Sequence, residues 1–223
     1  GRMVCTDCHT GEEMHGTAHV GTGEAPPDHR YDGPQGPACE SCHEDQVGIG
    51  SDNPYHEAHG TEVLSCQVCH SVSYINCYDC HLEVSEDDIP YFALQHEEMG
   101  FAIGRNPRRD NYRPYRYVPV RHVPTWPGLF QLYGEDVLNN FEALPTWAYA
   151  TPHNIQRHTP QTESCESCHG NDEFFLTPDR VLPEEIEQNA AIIVPAAPPL
   201  PDWELMRIRP WYFRPRSTGS MCR

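Results

Sequence analysis

Five copies of one short cysteine motif carry most of the recognisable chemistry in this sequence. Each copy reads Cys-x-x-Cys-His, and together the copies use ten of the eleven cysteines. We number them motifs 1 to 5, at residues 5–9, 39–43, 66–70, 77–81 and 165–169. Motifs 3 and 4 are crowded into SCQVCHSVSYINCYDCH. Thiols and imidazoles at this fixed spacing can form disulfides, bind a metal ion or attach a prosthetic group.

The histidine that directly follows the second cysteine of each motif distinguishes between these kinds of site. Zinc sites use Cys-x-x-Cys pairs but do not require that histidine, and a disulfide scaffold gives no reason for it. Redox Cys-x-x-Cys sites usually occur singly, in a thioredoxin-like strand–helix pattern that is absent here. Cys-x-x-Cys-His is the attachment signature of c-type haem, in which two thiols add to the vinyl groups of one porphyrin. The adjacent histidine then binds the iron as its proximal ligand.

The motifs therefore predict five covalent haems, each with its iron. They also assign a role to each of their cysteines and histidines. The thioether positions are Cys5, Cys8, Cys39, Cys42, Cys66, Cys69, Cys77, Cys80, Cys165 and Cys168. The proximal iron ligands are His9, His43, His70, His81 and His169.

Through these motifs, residues 5–169 resemble the multihaem c-type cytochromes. The resemblance implies an exported, loop-rich protein whose closely stacked haems form the core and pass electrons along a chain. We expect mostly irregular chain, with short α-helices at some motifs and few strands. The composition agrees, because only 38% of residues are hydrophobic and 22 are proline. Such a chain buries too little apolar surface to fold alone, so five porphyrins would supply the apolar interior.

The second axial ligands are predicted from the nine histidines outside the motifs, which make bis-histidine ligation the economical interpretation. His56 and His59 form a His-x-x-His pair upstream of motif 3. A similar pair in the small tetrahaem cytochromes of sulfate reducers serves two different haems, and residues three apart share a helix face. The favoured distal ligands are His15, His56, His59, His122 and His153. The weaker candidates are His19, His29, His96 and His158, with Met3, Met14, Met99, Met206 and Met221 as thioether alternatives.

The motifs also suggest how the chain is organised. Residues 1–169 would form the pentahaem domain, with four haems attached in 1–81, a wrapping segment at 82–164 and the fifth haem at 165–169. A strand or two is expected near YRYVPVRHV. Residues 170–223 would be a separate tail, with a short helix before Pro195. Trp203, Trp211, Tyr212 and Phe213 would form a docking surface or cap the protein's own haems.

The charge is strongly negative and unevenly distributed. The net charge is −18, all 15 basic residues are arginine, and six of them lie in residues 105–121. This acidity argues against nucleic acid or an anionic membrane as a partner, and no apolar run is long enough to span a membrane. This uneven distribution of acidic and basic residues would allow head-to-tail association into a homopolymer. The first motif starts at Cys5, so we expect a mature, processed chain, and Cys222 would be a free thiol or an intermolecular disulfide.

Two functional classes follow. The first is electron transfer without bond chemistry, in an extracellular or periplasmic protein that serves redox partner proteins or extracellular acceptors. It includes polymerisation into a conductive filament and, as alternatives, a discrete periplasmic carrier or a complex subunit. The second class is a small multihaem reductase with one open iron. Pentahaem nitrite reductases bind their active haem through lysine, and this chain has no lysine, so we expect no enzyme.

Overall fold

The computed structural model describes residues 4–11, 37–44, 47–110, 113–123, 134 and 143–202, and leaves aside the side chains of residues 75–84 and 92–99. The chain divides into two compact units, Gly1–Ala58 and His59–Arg223. Most of the described chain is irregular, with short helices and two small antiparallel sheets. Within these ranges, no helix has the length and apolar character needed to cross a membrane.

Among the described residues before motif 3, three short helices occur: α1 at Cys5–Cys8, α2 at Glu40–His43 and α3 at Pro54–His59. The start of α3 is specified locally. Asn53 precedes the helix, and its Oδ1 accepts a hydrogen bond of 3.0 Å from the backbone N–H of Tyr55. Asparagine is a preferred N-cap, and proline suits the first helical position because its missing N–H would have no partner there. The sequence around His56 and His59 therefore favours a helix without help from tertiary contacts.

The second unit contains both sheets. Its elements are α4 Cys66–His70, β1 Tyr74–Val84, β2 Pro90–Met99, β3 Ala102–Arg105, β4 Tyr117–His122 and β5 Trp147–Tyr149, followed by the 3-10 helices η1 Pro160–Thr162, η2 Cys165–Ser167, η3 Pro178–Arg180 and η4 Pro183–Glu185. Strands β1 and β2 form an antiparallel hairpin, and β3, β4 and β5 form a three-stranded antiparallel sheet in that order. Strand β4 lies where a strand was predicted, whereas the hairpin was not predicted.

Both faces of the three-stranded sheet are covered, each by its own apolar cluster. Successive residues of a strand point to opposite faces, so β3 and β4 contribute side chains to both. The face A cluster consists of Ala102, Val118, Val120, Leu176, Val181, Ile192 and Ile193. The face B cluster consists of Val68, Ile103, Phe175 and Val194. Val68 belongs to α4, which places motif 3 on face B.

Residues 174–194 add to the edge of this sheet instead of forming a separate tail. The backbone N–H of Ile103 donates to the carbonyl of Phe174 at 2.7 Å, and that of Leu176 donates to the carbonyl of Ile103 at 2.9 Å. The backbone N–H of Arg105 donates to the carbonyl of Ile192 at 2.8 Å. Apolar residues of LTPDRV and AAIIVP belong to the face A cluster, so this part of the predicted tail packs on the sheet. The helix expected before Pro195 is reduced to η4.

Replacing Gly104 by alanine is expected to destabilise this sheet by about 1–3 kcal/mol, the usual cost of overpacking. A Cβ atom there would lie 2.8 and 2.9 Å from the two methyl groups of Val120 and 3.0 Å from a methyl group of Ile192. Denaturant unfolding measures the change. Gly100→Ala is the matched control, since nothing lies within 4 Å of its added Cβ. Equal unfolding free energies for the two variants would contradict the close packing at Gly104.

Candidate haem-binding site

Four of the five motifs contain a short turn of helix. The turns are α1 in motif 1, α2 in motif 2, α4 in motif 3 and η2 in motif 5. In motifs 1, 2 and 5, the N–H of the histidine donates to the carbonyl of the first cysteine at 2.8, 3.0 and 2.8 Å. Residues three and four apart on a helical turn share one face. Both thiols and the imidazole are therefore on the same side of the chain, as attachment to one porphyrin requires.

Motif 4 has a different backbone conformation. It lies within β1, where Cys77 pairs with Glu97 and His81 pairs with Ala93 of β2. Its backbone is therefore extended and hydrogen-bonded to a neighbouring strand, whereas the other motifs turn. The side chains of Cys77, Cys80 and His81 lie outside the described ones, so their roles stay predictions from the sequence.

The chain leading into motif 5 lies directly on motif 3. Gln156 donates its backbone N–H to the carbonyl of His70 at 2.7 Å, and the Gln161 amide donates to the carbonyl of Ser71 at 3.2 Å. The Thr159 hydroxyl donates to the carbonyl of Cys69. These bonds place two motifs that are distant in sequence next to each other in space.

Motifs 3 and 5 share the face B cluster. Their second cysteines, Cys69 and Cys168, both pack against it. Burial and, secondly, the neighbouring Cys168 thiol raise the pKa of Cys69 to about 12, and burial also raises the pKa of Cys168. The thiols of Cys5 and Cys8 are exposed, and none of the eight cysteines with described side chains is disulfide-bonded. Predicted thioether positions of two different motifs thus adjoin one apolar surface.

The histidines of motifs 3 and 5, which are predicted proximal ligands, each direct Nδ1 at a backbone carbonyl oxygen. Nδ1 of His70 lies 3.0 Å from the carbonyl oxygen of Gln156, and Nδ1 of His169 lies 2.8 Å from that of Pro199. A carbonyl oxygen can only accept a hydrogen bond, so Nδ1 must carry the proton in both rings. In the neutral form of each ring, the lone pair is then on Nε2. Metal-binding histidines commonly donate their other N–H in this way, which fixes the ring orientation.

His59 lies beside the proximal histidine of motif 5. The ring centroids of His59 and His169 are 6.1 Å apart, and the rings are inclined by 43°. Both residues belong to the second unit. The fold thus brings together a predicted distal ligand and a predicted proximal ligand, although residues 59 and 169 are far apart in sequence.

His122, another predicted distal ligand, has a different environment. Its Nε2 lies 3.1 and 3.0 Å from the two carboxylate oxygens of Glu185, which is buried. The imidazole also packs on Trp147, with ring centroids 5.1 Å apart. The nitrogen that would bind iron therefore contacts a carboxylate, a geometry that favours a supporting role for His122 in β4 and β5. Its assignment as a distal ligand stays a prediction.

His122→Ala is accordingly expected to keep all five haems attached and low-spin while lowering the free energy of unfolding. The loss should be about 1–3 kcal/mol, because a buried carboxylate then lacks its hydrogen-bond donor. Absorption and electron paramagnetic resonance report the spin state, and denaturant unfolding reports stability. The exposed Glu184, next to Glu185, provides the control variant Glu184→Ala, which should change neither. A new high-spin haem in His122→Ala would restore the predicted role as a distal ligand.

The structure locates only some of the other distal candidates. His56 is partly buried in α3, and His153 and His158 are exposed. The backbone N–H of His153 donates to the Tyr74 hydroxyl at 3.3 Å. His15, His19 and His29 lie outside the described residues, as does the side chain of His96. These candidates stay predictions.

Sequence analysis missed the groups that support the imidazoles. The carbonyls of Gln156 and Pro199 orient two proximal histidines, and the Glu185 carboxylate engages His122. A backbone carbonyl has no signature in sequence, since every residue has one. The proline-rich stretch after residue 194 could have been recognised only as apolar chain.

Among the side chains that the structure describes, no three or more His, Cys, Asp or Glu residues form a group that could hold a metal ion. A haem iron is held by its porphyrin and takes at most two axial protein ligands, so it does not need such a group. Comparison of the chain with protein-family models, curated proteins and solved structures found no match. The motifs and their geometry are therefore the features of this chain that indicate a function.

Proposed function

We propose that this protein is an exported pentahaem c-type cytochrome that transfers electrons through a chain of covalently attached haems. The observation that carries the proposal is the pair of Nδ1–carbonyl hydrogen bonds in motifs 3 and 5. They present Nε2 of the histidine that directly follows a Cys-x-x-Cys pair, which is the donor set of a c-type haem. The repetition of the same motif extends the assignment to all five sites.

The residues of the chain have distinct tasks in this function. The cysteines would fix the position of each haem ring through thioether bonds, and the histidine that follows each pair would bind the iron. The carbonyls of Gln156 and Pro199 orient two of these imidazoles and raise the basicity of Nε2, which favours the oxidised iron and lowers the reduction potential. When bound, each haem supplies a one-electron iron couple whose potential depends on axial ligands, hydrogen bonds and burial.

The contact between motifs 3 and 5 supports an electron-transfer chain. Sequence crowding alone would make motifs 3 and 4 the nearest pair. The face B cluster also brings Cys69 and Cys168 together, so the attachment points of two haems lie on one continuous apolar surface. Short separation between redox centres is the main requirement of a protein that conducts without catalysing a reaction.

Production of the chain with a c-type cytochrome maturation system tests the proposal. We expect five haems per chain in the pyridine haemochrome assay, and reversible reduction of low-spin iron. Cys222→Ser is the matched control, because Cys222 is the one cysteine outside the motifs and its loss should leave the haem count at five. A chain that folds without covalent haem would overturn the proposal.

The proposal includes assembly into an extracellular filament, supported by the charge asymmetry of the sequence. Electron microscopy of the native, unconcentrated protein tests this part. Ordered filaments with a repeat of one protomer would support polymerisation, whereas discrete particles would leave a soluble carrier or a complex subunit. A haem that binds external ligands in its native state would instead favour a reductase.

A further inference from the structure

We infer that His59 is the distal ligand of the iron in the haem attached at Cys165 and Cys168, an inference that rests on the proposed function. Sequence proximity alone would assign His59 to motif 3, which begins seven residues later. The ring contact of 6.1 Å with His169 assigns it to motif 5 instead. Motif 5 would then hold its iron between two histidines that are far apart in the chain.

The separation of the two rings suits a shared iron. Two metal–imidazole bonds of about 2 Å each, together with the distance from each Nε2 to its ring centre, separate the centroids by about 6 Å. The observed 6.1 Å agrees with this value. Rings on opposite sides of one iron can also differ in plane orientation, so the inclination of 43° is compatible with axial ligation.

Two hydrogen bonds fix the position of His169 at the end of motif 5. Its Nδ1 donates to the carbonyl of Pro199 at 2.8 Å, and the N–H of the next residue, Gly170, donates to the carbonyl of Pro198 at 2.7 Å. Gly170 has a φ of +73°, a conformation that glycine adopts without strain. The end of motif 5 is thus anchored at two consecutive carbonyls, with Nε2 as the ligating nitrogen.

His59 lies at the end of a helix whose start is specified locally. Asn53 caps α3 and the helix ends at His59, so the backbone that leads into His59 is helical. Because motif 3 follows soon after, ligation by His59 would connect the backbone next to motif 3 with the haem of motif 5. This connection agrees with the shared face B cluster, where Cys69 and Cys168 both pack.

The test counts high-spin haems in the mature holoprotein. His59→Ala and His169→Ala are each expected to produce one high-spin haem, while the thioethers keep all five haems attached. If both histidines bind the same iron, the double variant should also show only one. Electron paramagnetic resonance and magnetic circular dichroism give the number of high-spin haems, and the pyridine haemochrome assay gives the total.

The control is the double variant His59→Ala with His70→Ala, which should show two high-spin haems because His70 belongs to another motif. Two high-spin haems in the His59/His169 double variant, or none in His59→Ala, would overturn the inference. His59→Met retains a side chain that can bind iron, so it tests the inference even if His59→Ala fails to fold. We expect it to give one haem with histidine–methionine ligation and a raised potential, and five unchanged haems would again overturn the inference. Absence of covalent haem in the unsubstituted chain would instead refute the proposed function.

Discussion

The double replacement Cys66→Ala with Cys69→Ala is expected to lower the haem content from five to four per chain and to destabilise the second unit. Motif 3 would then have no thiol for either vinyl group, so its haem cannot be attached. Cys69 also packs against the face B cluster, and truncation there removes buried contacts. We expect a loss of about 2 kcal/mol or more, which corresponds to roughly 4–8 °C in melting temperature for a chain of this size.

The pyridine haemochrome assay and thermal melting followed by circular dichroism measure the two effects. Cys5→Ala with Cys8→Ala is the matched control, because the same residues are removed from a motif whose thiols are exposed. This variant should also lose one haem, but with a smaller fall in melting temperature. Equal falls in both variants would contradict the structural role of motif 3 in the apolar core.

Leu176→Ala is expected to cost about 2–5 kcal/mol of unfolding free energy, the range typical of a buried leucine. Leu176 is 0% exposed and belongs to the face A cluster. The backbone N–H of Leu176 donates a hydrogen bond to the carbonyl of Ile103. The carbonyl of Leu176 accepts a hydrogen bond of 2.9 Å from the backbone N–H of Val194. The side chain therefore lies where residues 174–194 join the sheet, and its loss leaves a cavity that the surrounding backbone cannot close.

Denaturant unfolding of the mature holoprotein measures this cost. Leu182→Ala is the control, because Leu182 lies in the same segment and is 50% exposed. A substitution at such a position usually changes stability by about 0.5 kcal/mol or less. If Leu176→Ala cost no more than Leu182→Ala, residues 170–202 would behave as the separate tail predicted from the sequence.

The prediction of a tail was reasonable from local pattern but differs from the packing. AAIIVPAAPPLP is interrupted by proline, so it has neither helix nor strand periodicity. In the structure, Ile192, Ile193 and Val194 are buried nonetheless. Irregular chain can cover a sheet as effectively as a helix does, and its contribution depends on what it packs against. No property of the segment alone identifies face A as its partner.

The distal ligands show the same limit more sharply. His59, His122 and His153 have the same side chain, and the local sequence around each of them favours a distal ligand. The fold places His59 beside His169, engages His122 with Glu185 and leaves His153 exposed. These outcomes depend on contacts between segments that are distant in sequence, so a count of histidines predicts that ligands exist but cannot assign them.

The sequence by itself determined the chemistry that is encoded within five consecutive residues. Cys-x-x-Cys-His supplies two thiols and an imidazole within five residues, and in four of the five copies a turn of helix brings them to one side of the chain. Only the tertiary structure decided which carbonyls orient His70 and His169, which motifs share an apolar surface, and which histidine faces which proximal ring. The physical reason is that backbone carbonyls and apolar side chains are everywhere in the chain, and only folding selects the few that come into contact.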